Sequence, residues 1–234
     1  LSGAMCFLFG SLSGGLVQLF FIIAMLLLLS TYQDSMALGR VFYAFLFLGL
    51  SSVLSVHTLV VIPLLWVLMG TQLQSLTGRS FMASLLGLAT PWWFICLWLI
   101  YQRDFTPLAD HFAALASFMP LSHAYALTTQ GQWLTWSLTT VLTATGIVHF
   151  WRQSIDEKIR TRLLYGLFTW MSAACLLLTA LQPQHFDPLM RMAVVCASPL
   201  IAHFLTLSST RITNIAFFVI AAVTLSVTVV NLFW

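Results

Sequence analysis

Apolar residues along this chain come in long uninterrupted runs, and the charged residues that separate them come in short clusters. The clusters are Asp34 to Arg40, Arg79 alone, Arg103 to Asp110, Arg152 to Arg162, Asp187 to Arg191, and Arg211 alone. A helix needs about 20 predominantly apolar residues to climb ~30 Å of hydrocarbon at ~1.5 Å per residue. Each gap between clusters is about that long, or longer. The pattern predicts helices that cross a membrane, joined by short polar turns.

The first clear span is Gly15 to Thr31, starting near Ser11, with Gly10 and Gly14 forming a GxxxG that allows close helix approach. From Val41 to Gly78 there is no charge. One straight helix from Val41 to Met69 would be ~44 Å long, well beyond the hydrocarbon thickness. Two shorter helices, broken around Ser51 to His57 and with Pro63 in the second, fit better than one long tilted helix. Ser80 to Tyr101 is the next span, and Pro91 near its middle should kink it.

Beyond Arg103 the pattern changes. Thr106 and Pro107 read as N-cap and first position of a short interfacial helix, with Leu108, Phe112, Leu115 and Met119 on one face. Pro120 closes it, and a second short piece runs from Leu121 to Leu127. Trp133 to Phe150 is a span. Ser154 to Glu157 reads as a capping box for a helix ending near Leu181, with Asp156 and Arg160 as a favourable i,i+4 pair. Asp187-Pro188 opens a span to about Leu207, and Thr213 to Phe233 is the last.

The expected fold class is therefore an all-α polytopic transmembrane helical bundle. It has about eight crossings, or seven if residues 41–78 are a single span, plus a short interfacial helix. Residues 1–234 read as a single integral membrane domain, with helices expected upstream of Leu1, and residues 103–131 as an outer-face interfacial segment. Composition agrees. Charged residues make up 6% of the chain, where a soluble domain has about a quarter, and mean hydropathy is +0.98. The net charge of +3 is too small and dispersed for a nucleic-acid footprint, so the expected partners are the lipid bilayer and other membrane subunits.

Lys and Arg near span ends set the direction. The loop from Arg152 to Arg162 carries four basic residues and should be cytoplasmic. If residues 41–78 form a hairpin, seven basic residues lie inside and two, Arg103 and Arg191, outside; a single crossing makes it six to three. Loops 103–131 and 182–190, and the C-terminus, are then periplasmic in a cell inner membrane.

The same sorting gathers His57, Arg103, Asp104, Asp110, His111, His123, His185, Asp187 and Arg191 on the outer side. Carboxylate beside imidazole is the usual apparatus of general acid–base chemistry. Asp110, His111 and Arg103 are the residues that would carry catalysis there. Asp187 with Arg191 reads instead as a helix-start pair. Arg191, His149 and His203 fall near span ends, within reach of the interface. Trp92 and Trp93, beside Pro91, suit helix packing or a groove. No metal-binding spacing, phosphate loop, nucleotide fingerprint or nucleophile elbow is present, and no cofactor is expected. Cys6, Cys96, Cys175 and Cys196 sit in apolar runs as small buried hydrophobes.

The blocks FYAFLFLGLSSVL (residues 42–54) and LLWVLMGTQLQSLTGRSFMASLLGLATPWWF (64–94), with LADHF (108–112), resemble an uncharacterised polytopic inner-membrane family of Bacteroidota. The resemblance spans roughly Leu26 to Phe112 and implies a bacterial inner-membrane location with no established activity. Some members are labelled carotene monooxygenases, and this sequence has no iron-binding histidine set to match. The alternation of short helices with a kinked span also resembles glycosyltransferases of the C superfamily and O-antigen polymerases. The glycosyltransferases place a catalytic acid in an early outer loop, a position that would precede Leu1. The leading expectation is an accessory or assembly component of an envelope system. A membrane enzyme acting on a lipid-linked substrate at the outer face is the alternative. A transporter ranks third, for want of a charge at mid-depth.

Overall fold

A computed structural model describes residues 12–116, 125, 128–153, 157–207, 217–218, 220–227 and 229. Secondary structure among them is helical throughout. The chain divides into two compact units, Ser13–Met119 and one built mainly of Pro120–Trp234.

The first unit contains α1 (Leu12–Leu29), α2 (Leu38–Leu54), a 3-10 segment (Val56–Val61) that leads into α3 (Ile62–Thr71), α4 (Gly78–Gln102) and α5 (Thr106–Ala113). The charge-free stretch is a hairpin. Ser55 takes an extended conformation and ends α2, and the chain turns back on itself there. Ser51 and Thr58 share a hydroxyl hydrogen bond of 3.1 Å across the tip. Farther down, Phe45 stacks on Trp66 with ring centroids 6.4 Å apart. At the base, Gln33 N–H donates to the Leu73 carbonyl at 2.9 Å, and Thr31 donates to Ser75. The break falls within Ser51–His57, and Pro63 sits in the first turn of α3, where its missing N–H costs nothing.

Helix α4 lies alongside α2. Its Thr77 and Ser80 form a capping box, Ser80 N–H donating to Thr77 Oγ1 and Thr77 N–H to Ser80 Oγ. The buried residues of α4 are Ser80, Ser84, Gly87, Pro91 and Leu99. Small residues at i, i+4, i+7 and i+11 make one stripe, and a Cβ on Gly87 would sit 2.3 Å from the Phe42 carbonyl oxygen of α2. The two backbones meet because that position has no side chain. The helix runs unbroken through Pro91, which belongs to the same stripe.

The second unit contains α6 (Gln130–Gln153), α7 (Ile159–Leu181), a 3-10 turn (Pro183–His185) and α8 (Phe186–Leu207). Helix α8 packs on both α6 and α7. It is the most deeply covered element, with Met190, Met192, Ala193, Cys196 and Leu200 fully buried. Gly146 of α6 is the contact point with α8, since a Cβ there would lie 2.9 Å from the Leu200 carbonyl oxygen.

Among the described residues four helical stretches are long and apolar enough to cross a membrane: Leu12–Leu29, Gly78–Gln102, Ile159–Leu181 and Pro183–Thr206. Helix α6 has the length but not the hydropathy, because of its threonines. Their hydroxyls bond back to carbonyls one turn earlier, Thr135 to Gly131, Thr139 to Thr135 and Thr143 to Thr139, at 2.7–2.8 Å. The polar groups are thereby satisfied inside the helix that carries them.

The packing of α4 and α6 is inverted relative to helices of a water-soluble bundle. In α4 the small and polar residues are inside, while Met82, Leu86, Trp93, Phe94, Leu97 and Trp98 are exposed. In α6 the threonines and Gly146 are inside, and Leu134, Val141, Val148 and Trp151 are exposed. Helices surrounded by lipid associate in this way, through small residues and close backbone approach, because lipid tails solvate large apolar side chains as well as a core does.

Several predicted helix boundaries shift. Thr106 is the first residue of α5, not its cap; Phe105 holds the cap position, and Asp104 before it accepts from Thr106 N–H at 2.9 Å and from its hydroxyl. Helix α8 begins at Phe186, so Asp187 is already in its first turn. The expected capping box at Ser154 to Glu157, the Asp156–Arg160 pair, and the segment from Pro120 to Leu127 lie wholly or largely outside the described residues. Most of the last predicted span does too; within it, residues 217–218, 220–227 and 229 are helical.

Candidate functional site

The C-terminal end of α2 is the polar centre of the first unit. The carbonyls of a helix's last turn have no partner within the helix and must find one elsewhere. At Ser52 that partner is His111 of α5, whose Nε2 lies 2.9 Å from the Ser52 carbonyl oxygen. Bonded this way the neutral imidazole carries its proton on Nε2, and its lone pair is on Nδ1. The Ser52 hydroxyl donates to the Gly49 carbonyl at 2.7 Å and accepts from Trp92 Nε1 of α4 at 3.0 Å. The Trp92 ring lies against His111 and Phe112, with centroids 5.4 and 4.8 Å away. One buried serine thus ties α2, α4 and α5 together. His57 and Thr58 are buried at the adjoining hairpin tip.

Of the three residues predicted to carry catalysis, His111 is half-buried and engaged with Ser52. Asp110 and Arg103 are exposed. Consecutive positions on a helix point about 100° apart, so Asp110 and His111 face different ways. Arg103 closes α4 in the left-handed conformation, φ 56°, its N–H bonded to the Ile100 carbonyl. Among the described residues no ion pair joins Arg103 to Asp110. The Thr106 hydroxyl and N–H hold the Asp104 carboxyl below its ordinary pKa. His123 lies outside the described residues.

Trp92 is a packing residue as well as a donor, whereas Trp93 is 66% exposed on the apolar outside of α4. Sequence reasoning missed Ser52, and no local signal marks it, since its partners are 40 and 59 positions away. Threonine-x-x-serine at Thr77 was a readable cap signal.

The second unit carries ionisable groups that do not reach the interface as expected. Arg191 is 1% exposed. Its guanidinium meets the Asp187 carboxylate at 3.0 Å, and the Asp187 side chain is 46% exposed. The helix-start pair is therefore real, with the arginine covered by protein and the aspartate facing outward. His203 of α8 is 3% exposed. It sits among rings, Tyr165 at 4.8 Å and His149 and Phe150 each at 5.7 Å. Among the described residues neither of its ring nitrogens has a hydrogen-bond partner, nor does Nδ1 of His149.

Among the described residues no group of three or more His, Cys, Asp or Glu is placed to hold a metal ion. Cys175 and Cys196 are buried free thiols, Cys96 is partly covered, and Cys6 lies outside the described residues. Compared with known proteins, the chain matches no family model, no curated protein and no solved structure.

Proposed function

We propose that this chain is a multi-pass integral protein of a bacterial inner membrane. It acts as an accessory or assembly component of an envelope system, with its packed helices as its working surface. The observation that carries this reading is the use made of His111. The one imidazole of the predicted catalytic set caps a helix end, while Asp110 and Arg103 stand exposed and unjoined to it. A general acid–base pair needs its groups within hydrogen-bond reach of one reacting atom. The inverted packing of α4 and α6 supports the membrane, and the hairpin at Ser55 supports eight crossings over seven. At 17 residues, α2 covers about 25 Å, close to the hydrocarbon thickness. In this reading loop 152–162 is cytoplasmic, and loops 103–131 and 182–190 and the C-terminus are periplasmic.

The alternative, an enzyme of the glycosyltransferase C or O-antigen polymerase type, draws on the Ser52 centre. There His111 and Trp92 meet at one end of the bundle, and the His111 Nδ1 lone pair is a base. A deletion strain distinguishes the two. An Arg103→Ala, Asp110→Ala, His111→Gln triple variant, in which glutamine keeps a donor for Ser52, is expected to complement fully at normal membrane abundance. Loss of complementation at normal abundance would overturn the accessory reading and favour the enzyme.

A further inference from the structure

The second unit has a groove of about 360 Å³ lined by Ala144, Thr145, Val148, His149 and Arg152 of α6 and by Phe204 of α8. The α6 residues recur at i, i+1, i+4, i+5 and i+8, so they form one stripe down the helix. The stripe is graded. Ala144, Thr145 and Val148 make one end apolar, and His149 and then Arg152 make the other polar, with Arg152 about 12 Å along the axis from Ala144.

Three features mark the cationic end. Arg152 is exposed in the last turn of α6, and among the described residues no carboxylate pairs with it. His149 lines the groove and packs against the ring of His203, and among the described residues its covered Nδ1 and both ring nitrogens of His203 have no hydrogen-bond partner. Buried polar atoms are nearly always satisfied, so three exceptions on this packed ring pair are unusual, and the polar lining of the groove itself is His149 and Arg152. Lys158 and Arg162, both exposed, begin α7 at this end of the unit, where Glu157 is the acid among the described residues.

We infer that this groove binds an anionic phospholipid, its phosphate against Arg152 and His149 and the upper part of an acyl chain along Val148, Ala144 and Phe204. Guanidinium matches phosphate in charge and in donor geometry, and an apolar channel leading away from it matches a chain of methylenes. Basic pockets between membrane helices on the cytoplasmic side recognise acidic headgroups on these grounds. The inference rests on the reading of the chain as a membrane protein.

Native mass spectrometry of the full chain, released from detergent micelles, tests it. The probes are phosphatidylglycerol, phosphatidylcholine of the same acyl chains, and inorganic phosphate. The wild type should retain one phosphatidylglycerol in preference to phosphatidylcholine. Arg152→Gln should weaken that retention roughly tenfold, as expected for loss of a charge-assisted bond. Val148→Trp, which fills the apolar end and leaves the charges, should weaken it as well, with helicity and elution unchanged. Equal retention of both lipids, or retention untouched by either variant, overturns the proposal. Displacement of the lipid by millimolar phosphate would show that the site takes the free anion, and would overturn the lipid assignment. Chain extracted from membranes by alkaline carbonate without detergent would contradict the underlying membrane reading, independently of the lipid result.

Discussion

Arg103 holds a left-handed backbone at the end of α4, a conformation that costs a residue with a Cβ about 1–2 kcal/mol relative to glycine. Its role is helix termination, and its exposed guanidinium is incidental to the fold. Arg103→Gly is therefore expected to stabilise the chain by about 0.5–1 kcal/mol, the gain being reduced by the greater freedom of glycine when unfolded. Unfolding in mixed micelles by a denaturing detergent measures this, and destabilisation would show that the arginine side chain makes a contact the fold depends on. At this scale the sequence was partly legible. Asp104 two residues before Thr106 is a local turn pattern and Thr77 three before Ser80 a cap pattern, and both can be read from adjacent letters. The Ser52 centre cannot be, because a serine near a helix end looks the same whether or not a tryptophan and a histidine reach it from distant segments. For the same reason His203 and Arg191 looked like interface residues. Their burial is set by the packing of α8 against α6 and α7 and not by their distance from a span end.

Among the elements, α4 holds most of the information about solvent. Its inner stripe of Ser80, Ser84, Gly87 and Pro91 would be a poor core in water, where large apolar groups would be drawn inward. In lipid it allows α2 to approach until backbone meets backbone. Gly87→Ala would drive a methyl group to 2.3 Å from the Phe42 carbonyl oxygen, and backbone cannot give way as a flexible side chain can. The expected cost is about 1–3 kcal/mol, the usual range for overpacking. Gly39→Ala in α2 meets nothing within 4 Å and should be neutral or slightly stabilising. If the two variants unfold at the same detergent fraction, the α2–α4 contact is not as described. The hairpin was legible from length alone, since a single helix through residues 41–69 would overshoot the hydrocarbon. The residue at which it breaks was not, because nothing local distinguishes Ser55 from Ser51 or Ser52.

For the whole molecule the charge clusters remain the strongest statement, and they bear on direction as well as on solvent. Among the described residues four helices have both the length and the hydropathy to cross, whereas α6 falls short in hydropathy and the two apolar arms of the hairpin in length; the internally bonded threonines and the break at Ser55 account for these. The central claim is that these helices thread a membrane with the basic loop inside and the hairpin crossing twice. Single cysteines in a background with Cys6, Cys96, Cys175 and Cys196 replaced by alanine, reacted in intact cells with a membrane-impermeant maleimide, test it directly. Met36→Cys, Gln74→Cys and Lys158→Cys should be protected until the cells are lysed, and Gln102→Cys should react at once. Reaction at Lys158→Cys with protection at Gln102→Cys would invert the topology, and reaction at Met36→Cys with protection at Gln74→Cys would contradict the hairpin crossing.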